Sequence, residues 1–474
     1  MATQSVTADS GYVTSGDRTK DPYNYQVGFG NSFASEALPG VLPVGQNSPQ
    51  KVKYDLYAEG INGSPFVAPR AVNRRTWFYR IQPSVAHDGF STAPQNPLLE
   101  SDFSASNPKV HLNPAQIAWS PFELPKDSVK VDFIDGLKTI GGSGGAVQRE
   151  GVAVHIYTAN TSMGKKAFVN SDGDFLIIPQ IGRLDVQTEV GKMMVRPGEI
   201  VVIQSGLKFK VSLPDGASRG YVQEIFGSHF ELPELGPLGA NGLANIRDFE
   251  HPVASFDVDQ SNWDIIYKAG GVLFKCQQDH TPFDVVAWHG NYVPYKYALE
   301  KFIVAGNVNR DHADPSTFCV LTVKSKVPGI ALVDFCAIVP RWEVTTDTFR
   351  PPYFHRNTAA ELIGFIYGAR REPAFQDGAI NYRTSFSPHG VTSDQYEEAR
   401  EEELVPTKLG EGSLAFLIEP SVPLLFTDFA LKSNNFFAQD VGPYRSHGPL
   451  FLRNIDQVNS ELKALGRPEL HISC

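Results

Sequence analysis

The chain has 474 residues, which exceeds the roughly 250 to 300 at which one hydrophobic core stops growing, so we expect two structural units. Its composition, with 42% hydrophobic and 11% aromatic residues, 41 Gly and 34 Pro, indicates a folded, turn-rich and mainly β protein. A formal charge of −10 without a Lys/Arg cluster argues against nucleic acid as a partner.

Cysteines and apolar segments indicate the cellular compartment. Cys276, Cys319, Cys336 and Cys474 show no CxxC spacing, and so few thiols in so long a chain indicate reduced cysteines. The N-terminal segment has no apolar core of a secretory signal, and the longest apolar run, GIALVDFCAIVP, is too short to span a bilayer. We therefore expect a soluble, cytoplasmic protein without a membrane partner.

In chain order, residues 1–21 are rich in Ser, Thr, Asp and Gly, which predicts a flexible tail. The Gly-rich segment IGGSGGAV, residues 140–147, lacks the Gly-Lys-Ser/Thr ending of a phosphate-binding loop and is interpreted as a surface loop. The segments RLDVQTEV and KFKVSL alternate apolar and polar residues, the pattern of half-buried strands. Turn signals between such segments recur at the spacing of a sandwich or barrel.

The segment PGEIVVIQSGLKFKV, residues 197–211, resembles the second conserved segment of cupin barrels. In that pattern the position of Phe209 usually carries a metal-binding histidine. We therefore predict that the first half of the chain is a cupin-type jelly roll without a metal. A β-hairpin with a Gly-rich turn is the alternative reading of the same spacing.

The C-terminal third holds the main candidate constellation, His355, Glu361 and His389. Two imidazoles and one carboxylate on one face of a divalent ion leave three adjacent positions open, as non-haem Fe(II) oxygenases need for a substrate and O₂. A strand-turn-strand would bring His355 and Glu361 to one ion. The same ligand types serve catalytic zinc, and a purely structural role also remains open on this spacing.

A second segment, DHTPFDVVAWHGNYVPYKY, places His280 and His289 among tryptophan and tyrosine residues. These aromatic residues would either line a pocket or belong to the core. Helical patterns are sparse, and the best candidates for helices are residues 393–403 and 459–465.

Seven segments, in order and covering residues from about 22 to about 450, resemble successive blocks of the homogentisate 1,2-dioxygenase family. They are PYNYQVGFGNSFASEALPGVLPVGQNSPQ, LYAEGINGSPFVAPRAVNRRTWFYRIQPS, NSDGDFLIIPQ, ELPELGPLGANGLANIRDF, PFDVVAWHGNYVPYKY, DHADPS and TFRPPYFHRN.

This resemblance implies a fold of two cupin-like β domains with few helices. The first, residues 22–277, would carry no metal, and the second, residues 278–474, would hold Fe(II). The family opens the ring of homogentisate with O₂ to give maleylacetoacetate in tyrosine and phenylalanine catabolism, and it assembles as a homohexamer, a dimer of trimers.

The resemblance also assigns roles to residues. His355, Glu361 and His389 would be the iron ligands, and His289 would be the acid/base beside the substrate hydroxyl. Tyr353 would form part of the substrate pocket.

Two pocket positions depart from the family pattern, which has a tyrosine nine residues after the ligand glutamate and a histidine six residues before the last ligand. Here those positions are Arg370 and Arg383. One interpretation is local drift, with Tyr367 or Tyr382 supplying the missing hydroxyl and the arginines paired with Glu372 or Asp377.

The other interpretation is a paralogue whose arginines bind a differently placed carboxylate, so that it cleaves gentisate or a larger substituted hydroquinone. A bicupin that binds metal without catalysis is the third possibility. An open-sided iron site together with a base weighs against it.

Overall fold

The computed structural model describes residues 5–7, 21–44, 49–234, 243–302, 304, 318–343, 352–369, 375–438 and 440–472. Strands dominate these residues and helices are short and few, which confirms the mainly β class. Within the same residues, no helix combines the length and the apolar character needed to cross a membrane.

The strands of the first part of the chain are listed here in chain order: β1 (Ser5–Thr7), β2 (Tyr25–Val27), β3 (Phe33–Glu36), β4 (Tyr57–Asn62), β5 (Arg75–Arg80), β6 (Ser91–Thr92), β7 (Asp102–Phe103), β8 (Val110–Leu112), β9 (Ile117–Trp119), β10 (Leu137–Gly145), β11 (Glu150–Ala159), β12 (Lys166–Asn170), β13 (Gly173–Ile181), β14 (Leu184–Thr188), β15 (Gly191–Val195), β16 (Glu199–Ile203), β17 (Lys208–Ser212), β18 (Ser218–Phe226), β19 (Phe230–Glu231), β20 (Phe249–Pro252), β21 (Ser255–Asp257), β22 (Trp263–Ala269), β23 (Val272–Gln278), β24 (Val285–Gly290) and β25 (Tyr295–Ala298).

The strands of the second part are β26 (Cys319–Lys324), β27 (Ala331–Ile338), β28 (Arg341–Glu343), β29 (Glu361–Tyr367), β30 (Ile380–Arg383), β31 (Thr407–Leu409), β32 (Leu414–Pro420), β33 (Leu425–Thr427) and β34 (Phe436–Ala438). The α-helices are α1 (Ser393–Glu401), α2 (Asp428–Lys432), α3 (Gly442–Arg445) and α4 (Ile455–Ala464). Short 3-10 helices lie at Lys53–Asp55, Arg70–Val72, Ile246–Asp248, Leu299–Lys301 and Leu450–Asn454.

Strands β11 to β18 form a jelly roll. One sheet has the neighbour order β11-β18-β13-β16 and the other has β12-β17-β14-β15, and all of these pairs are antiparallel. This arrangement of two interleaved Greek keys is the one expected of a cupin-type jelly roll. Phe209 lies on β17, is buried and packs in the core between the two sheets, so an apolar ring occupies the position that the cupin pattern gives to a metal-binding histidine.

A second, smaller set of strands repeats this topology. The order β27-β32-β29-β30 matches that of the first sheet above, and β28 pairs with β31 as β12 pairs with β17. The two jelly rolls share a hydrophobic core, in which the ring centroids of Tyr221 and Phe416 lie 4.9 Å apart. The predicted pair of cupin-like folds is therefore confirmed.

The chain crosses between the two jelly rolls in both directions. Strand β9 pairs with β30, and β33 pairs with β10. Strand β25 pairs with β16 of the first jelly roll. Our division between residues 277 and 278 stays a prediction. Most of the predicted tail, 1–21, lies outside the described residues, and within it Ser5–Thr7 pairs with β21.

The expectation of a surface loop at residues 140–147 is wrong, because most of that segment belongs to strand β10. A Cβ atom added at Gly141 would lie 2.7 Å from the carbonyl oxygen of Leu425, and one added at Gly142 would lie 2.4 Å from the ring of Phe103. The glycines are therefore required by the close approach of neighbouring strands and do not mark a loop.

Helix α1 begins one residue after Thr392, whose side chain and that of Gln395 form a reciprocal capping box. It ends at Glu401, two residues before the predicted end. The last helix, α4, begins four residues earlier than predicted.

A buried ion network stabilises the first jelly roll. The side chain of Lys268 is fully buried between Asp172, at 2.8 Å, and Glu224, at 2.7 Å. Burial alone would raise the pKa of Glu224, but the charge of Lys268 and the hydrogen bond from His155 lower that pKa to about 2. Both carboxylates therefore have the same ammonium group as their counter-charge.

We expect Lys268→Met to lower the free energy of unfolding by about 3–5 kcal/mol, because it leaves two buried carboxylates without a counter-charge. Urea denaturation of the purified protein measures this change. Lys275→Met on the adjacent strand β23 is the control, since Lys275 has no ion pair among the described residues. An equal, small effect of both substitutions would contradict the prediction.

Candidate metal centre

His355 and His389 are fixed side by side by their own backbones. The amide of His355 donates to the carbonyl of His389 at 3.0 Å, and the amide of His389 donates back at 3.2 Å. This pair is an isolated antiparallel bridge outside the named strands, and the two imidazole centroids lie 4.0 Å apart. Residues that are far apart in sequence are thus held within one coordination shell.

Glu361 is the first residue of β29, and strand alternation decides where its side chain points. Leu362 packs in the shared core, so the carboxylate of Glu361 faces the opposite side of the sheet, toward the two histidines. Its Oε1 lies 3.3 Å from Nε2 of His355 and 3.1 Å from Nε2 of His389.

The candidate ligand atoms of the three residues all lie within 4.8 Å of one another. The structure therefore brings together the three residues that the sequence singled out. Among the described residues, no second group of this kind is found, in either jelly roll.

The hydrogen bonding of His389 suits a metal ligand. Nδ1 of His389 donates to the carbonyl of Ser387 at 2.9 Å, which leaves a lone pair on Nε2. That lone pair faces the carboxylate oxygen Oε1 of Glu361. Two electron-rich atoms that face each other at this distance repel unless a cation or proton lies between them, so the donor set fits a divalent metal ion.

Two further side chains hold Glu361. Nδ2 of Asn357 donates to Oε1 at 2.9 Å, and a terminal nitrogen of Arg383 lies 3.5 Å from Oε2. Asn357 was not predicted from the sequence. The sequence signal that could have identified Asn357 is its position two residues after the candidate ligand His355 and four residues before the candidate ligand Glu361.

The electrostatics of this site favour an ionised Glu361. In the metal-free protein, protons on the imidazoles take the place of a cation: burial alone would raise the pKa of Glu361, but the hydrogen bond from protonated His389 and the positive charges of His389, Arg383 and His355 lower that pKa to about 2. A neighbouring acid, Glu419 on β32, behaves differently. Burial and the negative charges of Glu361 and Asp334 raise the pKa of Glu419 to about 7. Glu361 is thus the carboxylate that is available to a metal at neutral pH.

Access to the centre is from the side of His355. The side chain of His355 is 35% exposed, whereas those of Glu361 and His389 are 9% and 7% exposed. Tyr353 is half-exposed, and its ring centroid lies 5.7 Å from that of His355. Tyr353 therefore lies at the open side of the centre.

A cavity of about 320 Å³ borders the centre on the side of His389. Its wall includes Phe354, Tyr444 and His447, and the ring of His447 lies edge-on to Phe354 at 4.9 Å. This cavity is large enough to hold a small aromatic molecule.

His289 lies on β24, apart from the three residues of the centre. Its neighbour Trp288 is buried and donates to the carbonyl of Val190 at 2.7 Å, so alternation directs His289 to the other face of the strand. Among the described residues, its hydrogen-bond and ring contacts are with Tyr79 alone, whose hydroxyl lies 3.3 Å from Nε2. Burial, with the positive charge of Arg75, lowers the pKa of His289 below 6.5.

Of the two predicted substrate-binding arginines, Arg383 lies within the described residues. Arg370 lies outside the described residues. Arg383 faces Glu361 and not Asp377, whose side chain accepts from the amide of Ala369. Its Nε atom is buried and has no hydrogen-bond partner among the described residues.

The tyrosines considered as replacements are occupied elsewhere. The hydroxyl of Tyr367 donates to Glu300 at 3.2 Å, and the hydroxyl of Tyr382 accepts from the amide of Leu424 in the core.

Comparison with known proteins gives two family models that together cover most of the chain. The model "Homogentisate 1,2-dioxygenase N-terminal" matches residues 24–299, and the model "Homogentisate 1,2-dioxygenase C-terminal" matches residues 300–444.

Curated relatives extend over the same region. Homogentisate 1,2-dioxygenase of Arabidopsis thaliana is 50% identical over 415 residues, which cover 86% of this chain and 89% of that protein. Homogentisate 1,2-dioxygenase of Homo sapiens is 46% identical over 446 residues, which cover 92% of this chain and 99% of that protein.

Proposed function

The chain belongs to the homogentisate 1,2-dioxygenase family, and from this membership we propose that it opens the aromatic ring of homogentisate with O₂ to give maleylacetoacetate. The observation that carries the proposal is the convergence of the imidazoles of His355 and His389 on one oxygen of Glu361. Two neutral nitrogen ligands and one carboxylate suit Fe(II) with adjacent open positions.

His355, Glu361 and His389 would hold Fe(II), which when bound would bring the substrate hydroxyl and O₂ together and let the electron-rich ring reduce O₂. The hydrogen bond from Nδ1 of His389 to Ser387 keeps the lone pair of Nε2 directed at the metal position. Asn357 keeps Oε1 of Glu361 in place.

His289 is proposed as the base that takes the proton of the substrate hydroxyl. A neutral imidazole is needed for this step, and the lowered pKa of His289 keeps the ring neutral at the pH of the cytoplasm. Removal of the proton makes the ring more electron-rich, which favours its reaction with O₂.

The pH dependence of kcat/KM tests this assignment of His289. We expect activity to fall as the pH drops through the pKa of His289, with a midpoint below 6.5, the ordinary value of a histidine. Arg75→Gln removes one of the causes of the lowered pKa and should move the midpoint to higher pH. Arg70→Gln is the control: it makes the same charge change five residues earlier in the chain, at a residue that is not a cause of the lowered pKa, and should leave the midpoint in place. A midpoint above 6.5 in the unaltered protein would contradict the assignment.

Tyr353, Arg370 and Arg383 are proposed to face the substrate. The metal ion and the Arg383 guanidinium together outweigh the single negative charge of Glu361, so the centre suits an anionic substrate. Within the described part of the chain Nε of Arg383 has no hydrogen-bond partner, which supports binding of a carboxylate, since guanidinium and carboxylate groups form paired hydrogen bonds. This arginine is also the observation that favours a second candidate, cleavage of gentisate or a larger substituted hydroquinone.

Oxygen uptake by the Fe(II)-reconstituted protein distinguishes the two candidates. We expect homogentisate to be turned over faster than gentisate or a larger 2,5-dihydroxyphenyl acid. Faster uptake with either of the other acids would favour the second candidate. Iron binding without oxygen uptake on any of these hydroquinones would instead support a non-catalytic metal-binding protein.

We also propose that the protein is cytoplasmic and that its two domains divide between residues 277 and 278.

We further propose that the protein assembles as a homohexamer built of two trimers. The hexamer is supported by family membership alone. Light scattering on the purified protein tests it, and a stable monomer would contradict it.

A further inference from the structure

The ligand carboxylate of the metal centre has two oxygens with different partners. Oε1 of Glu361 faces both imidazole nitrogens and accepts from Asn357. Oε2 faces Arg383, with 3.5 Å between the two atoms. A metal held by the imidazoles therefore meets Oε1, while the guanidinium charge acts on Oε2.

The register of the sheet produces this pairing. Glu361 on β29 and Arg383 on β30 are directly opposite cross-strand partners, so both side chains lie on the same face of the sheet. The Arg383 side chain is 15% exposed, and that of Glu361 is 9% exposed. In such an environment the attraction between the two charges is screened less than at the surface, which gives it more influence on the carboxylate orientation.

From this geometry we propose that Arg383 is a positioning residue that occupies Oε2 of Glu361 and so limits the carboxylate to one bond with the metal. This inference rests on the proposed metal centre and concerns how Glu361 binds there. If Oε2 were free, the carboxylate would chelate the ion with both oxygens and fill a position that substrate or O₂ needs. Arg383 also places a positive charge near a divalent cation, which weakens metal binding.

Chelation by both carboxylate oxygens and the loss of a nearby positive charge would each strengthen metal binding when Arg383 is removed. In Arg383→Gln we expect Co(II), used as an air-stable probe, to bind about tenfold more tightly than in the unaltered protein, a change of the size seen when outer partners of metal ligands are replaced. We expect kcat of the Fe(II)-loaded variant to fall at the same time. A merely structural role for Arg383 would give the opposite sign, because a disordered ligand binds metal more weakly.

Isothermal titration with Co(II) measures the affinity. Infrared difference spectra between Co(II)-loaded and metal-free protein measure the carboxylate binding mode, because the antisymmetric and symmetric stretches move closer together when both oxygens bind one ion. We expect this narrowing in Arg383→Gln and not in the unaltered protein.

Two further variants complete the test. Arg383→Lys keeps a cation opposite Glu361 and should restore the affinity of the unaltered protein. Arg400→Gln removes the same charge from the exposed helix α1, where Arg400 pairs with Glu397, and should change nothing.

Equal or weaker Co(II) binding in Arg383→Gln would overturn the role of Arg383, while leaving the metal centre intact. Failure of the unaltered protein to bind Co(II) would overturn the proposed metal centre itself, and this inference with it.

Discussion

Glu361→Gln should remove nearly all bound iron and lower kcat by more than about 10³-fold, which corresponds to the several kcal/mol that a metal ion contributes to such reactions. The substitution keeps the size of the side chain but replaces the only charged ligand. Oε1 of Glu361 is the atom on which Nε2 of His355 and Nε2 of His389 converge, at 3.3 and 3.1 Å. A neutral amide at this position cannot offset the charge of a divalent ion.

Iron content and oxygen uptake of the same preparation measure the two losses together. Glu419→Gln is the matched control, because Glu419 is a half-buried acid near Glu361 that makes no contact with the imidazoles among the described residues. We expect Glu419→Gln to keep its iron. A Glu361→Gln protein with full iron and ordinary turnover would show that the metal, if any, is held elsewhere.

His289→Gln should retain iron and still lose about 10² to 10⁴ in kcat, the range typical of removing a general base. Iron binding and turnover are affected separately because His289 lies away from the metal ligands. His289 lies on β24, and its contacts within the described residues are with Tyr79, not with His355, Glu361 or His389. Its loss therefore leaves the metal ligands unchanged and removes only the acceptor for the substrate proton.

The contrast between metal content and turnover is the readout for His289. Tyr79→Phe provides a graded comparison, since it removes only the hydroxyl that lies 3.3 Å from Nε2 of His289. We expect a smaller loss of kcat in Tyr79→Phe than in His289→Gln. If His289→Gln turned over at the ordinary rate, another group would have to accept the proton.

The sequence was sufficient for the fold class because its signal is local. The alternating segment RLDVQTEV does become a strand, β14, although four of its five residues are buried and not half-buried as predicted. The cupin-like segment that ends near Phe209 likewise lies in the first jelly roll, where Phe209 packs in the core. The Gly-rich segment misled us because its glycines serve close packing against Leu425 and Phe103. Those contacts are made with strands distant in sequence, which local composition does not reveal.

Some features of the candidate centre could likewise be predicted from the sequence, and others could not. His355, Glu361 and His389 were recognisable because their residue types match the chemistry of a metal ion. The contacts of Glu361 with Asn357 and Arg383 could not be recognised in this way. The contact with Asn357 depends on the turn before β29, and the contact with Arg383 depends on the register between β29 and β30. Neither feature can be read from spacing alone.

A crystal structure of the protein loaded anaerobically with Fe(II), with anomalous diffraction measured at the iron edge, tests the central claim most directly. We predict one anomalous peak per chain, within bonding distance of Nε2 of His355, Nε2 of His389 and Oε1 of Glu361. An iron peak bound by other residues, or no peak in a chain whose three side chains are in place, would contradict the account.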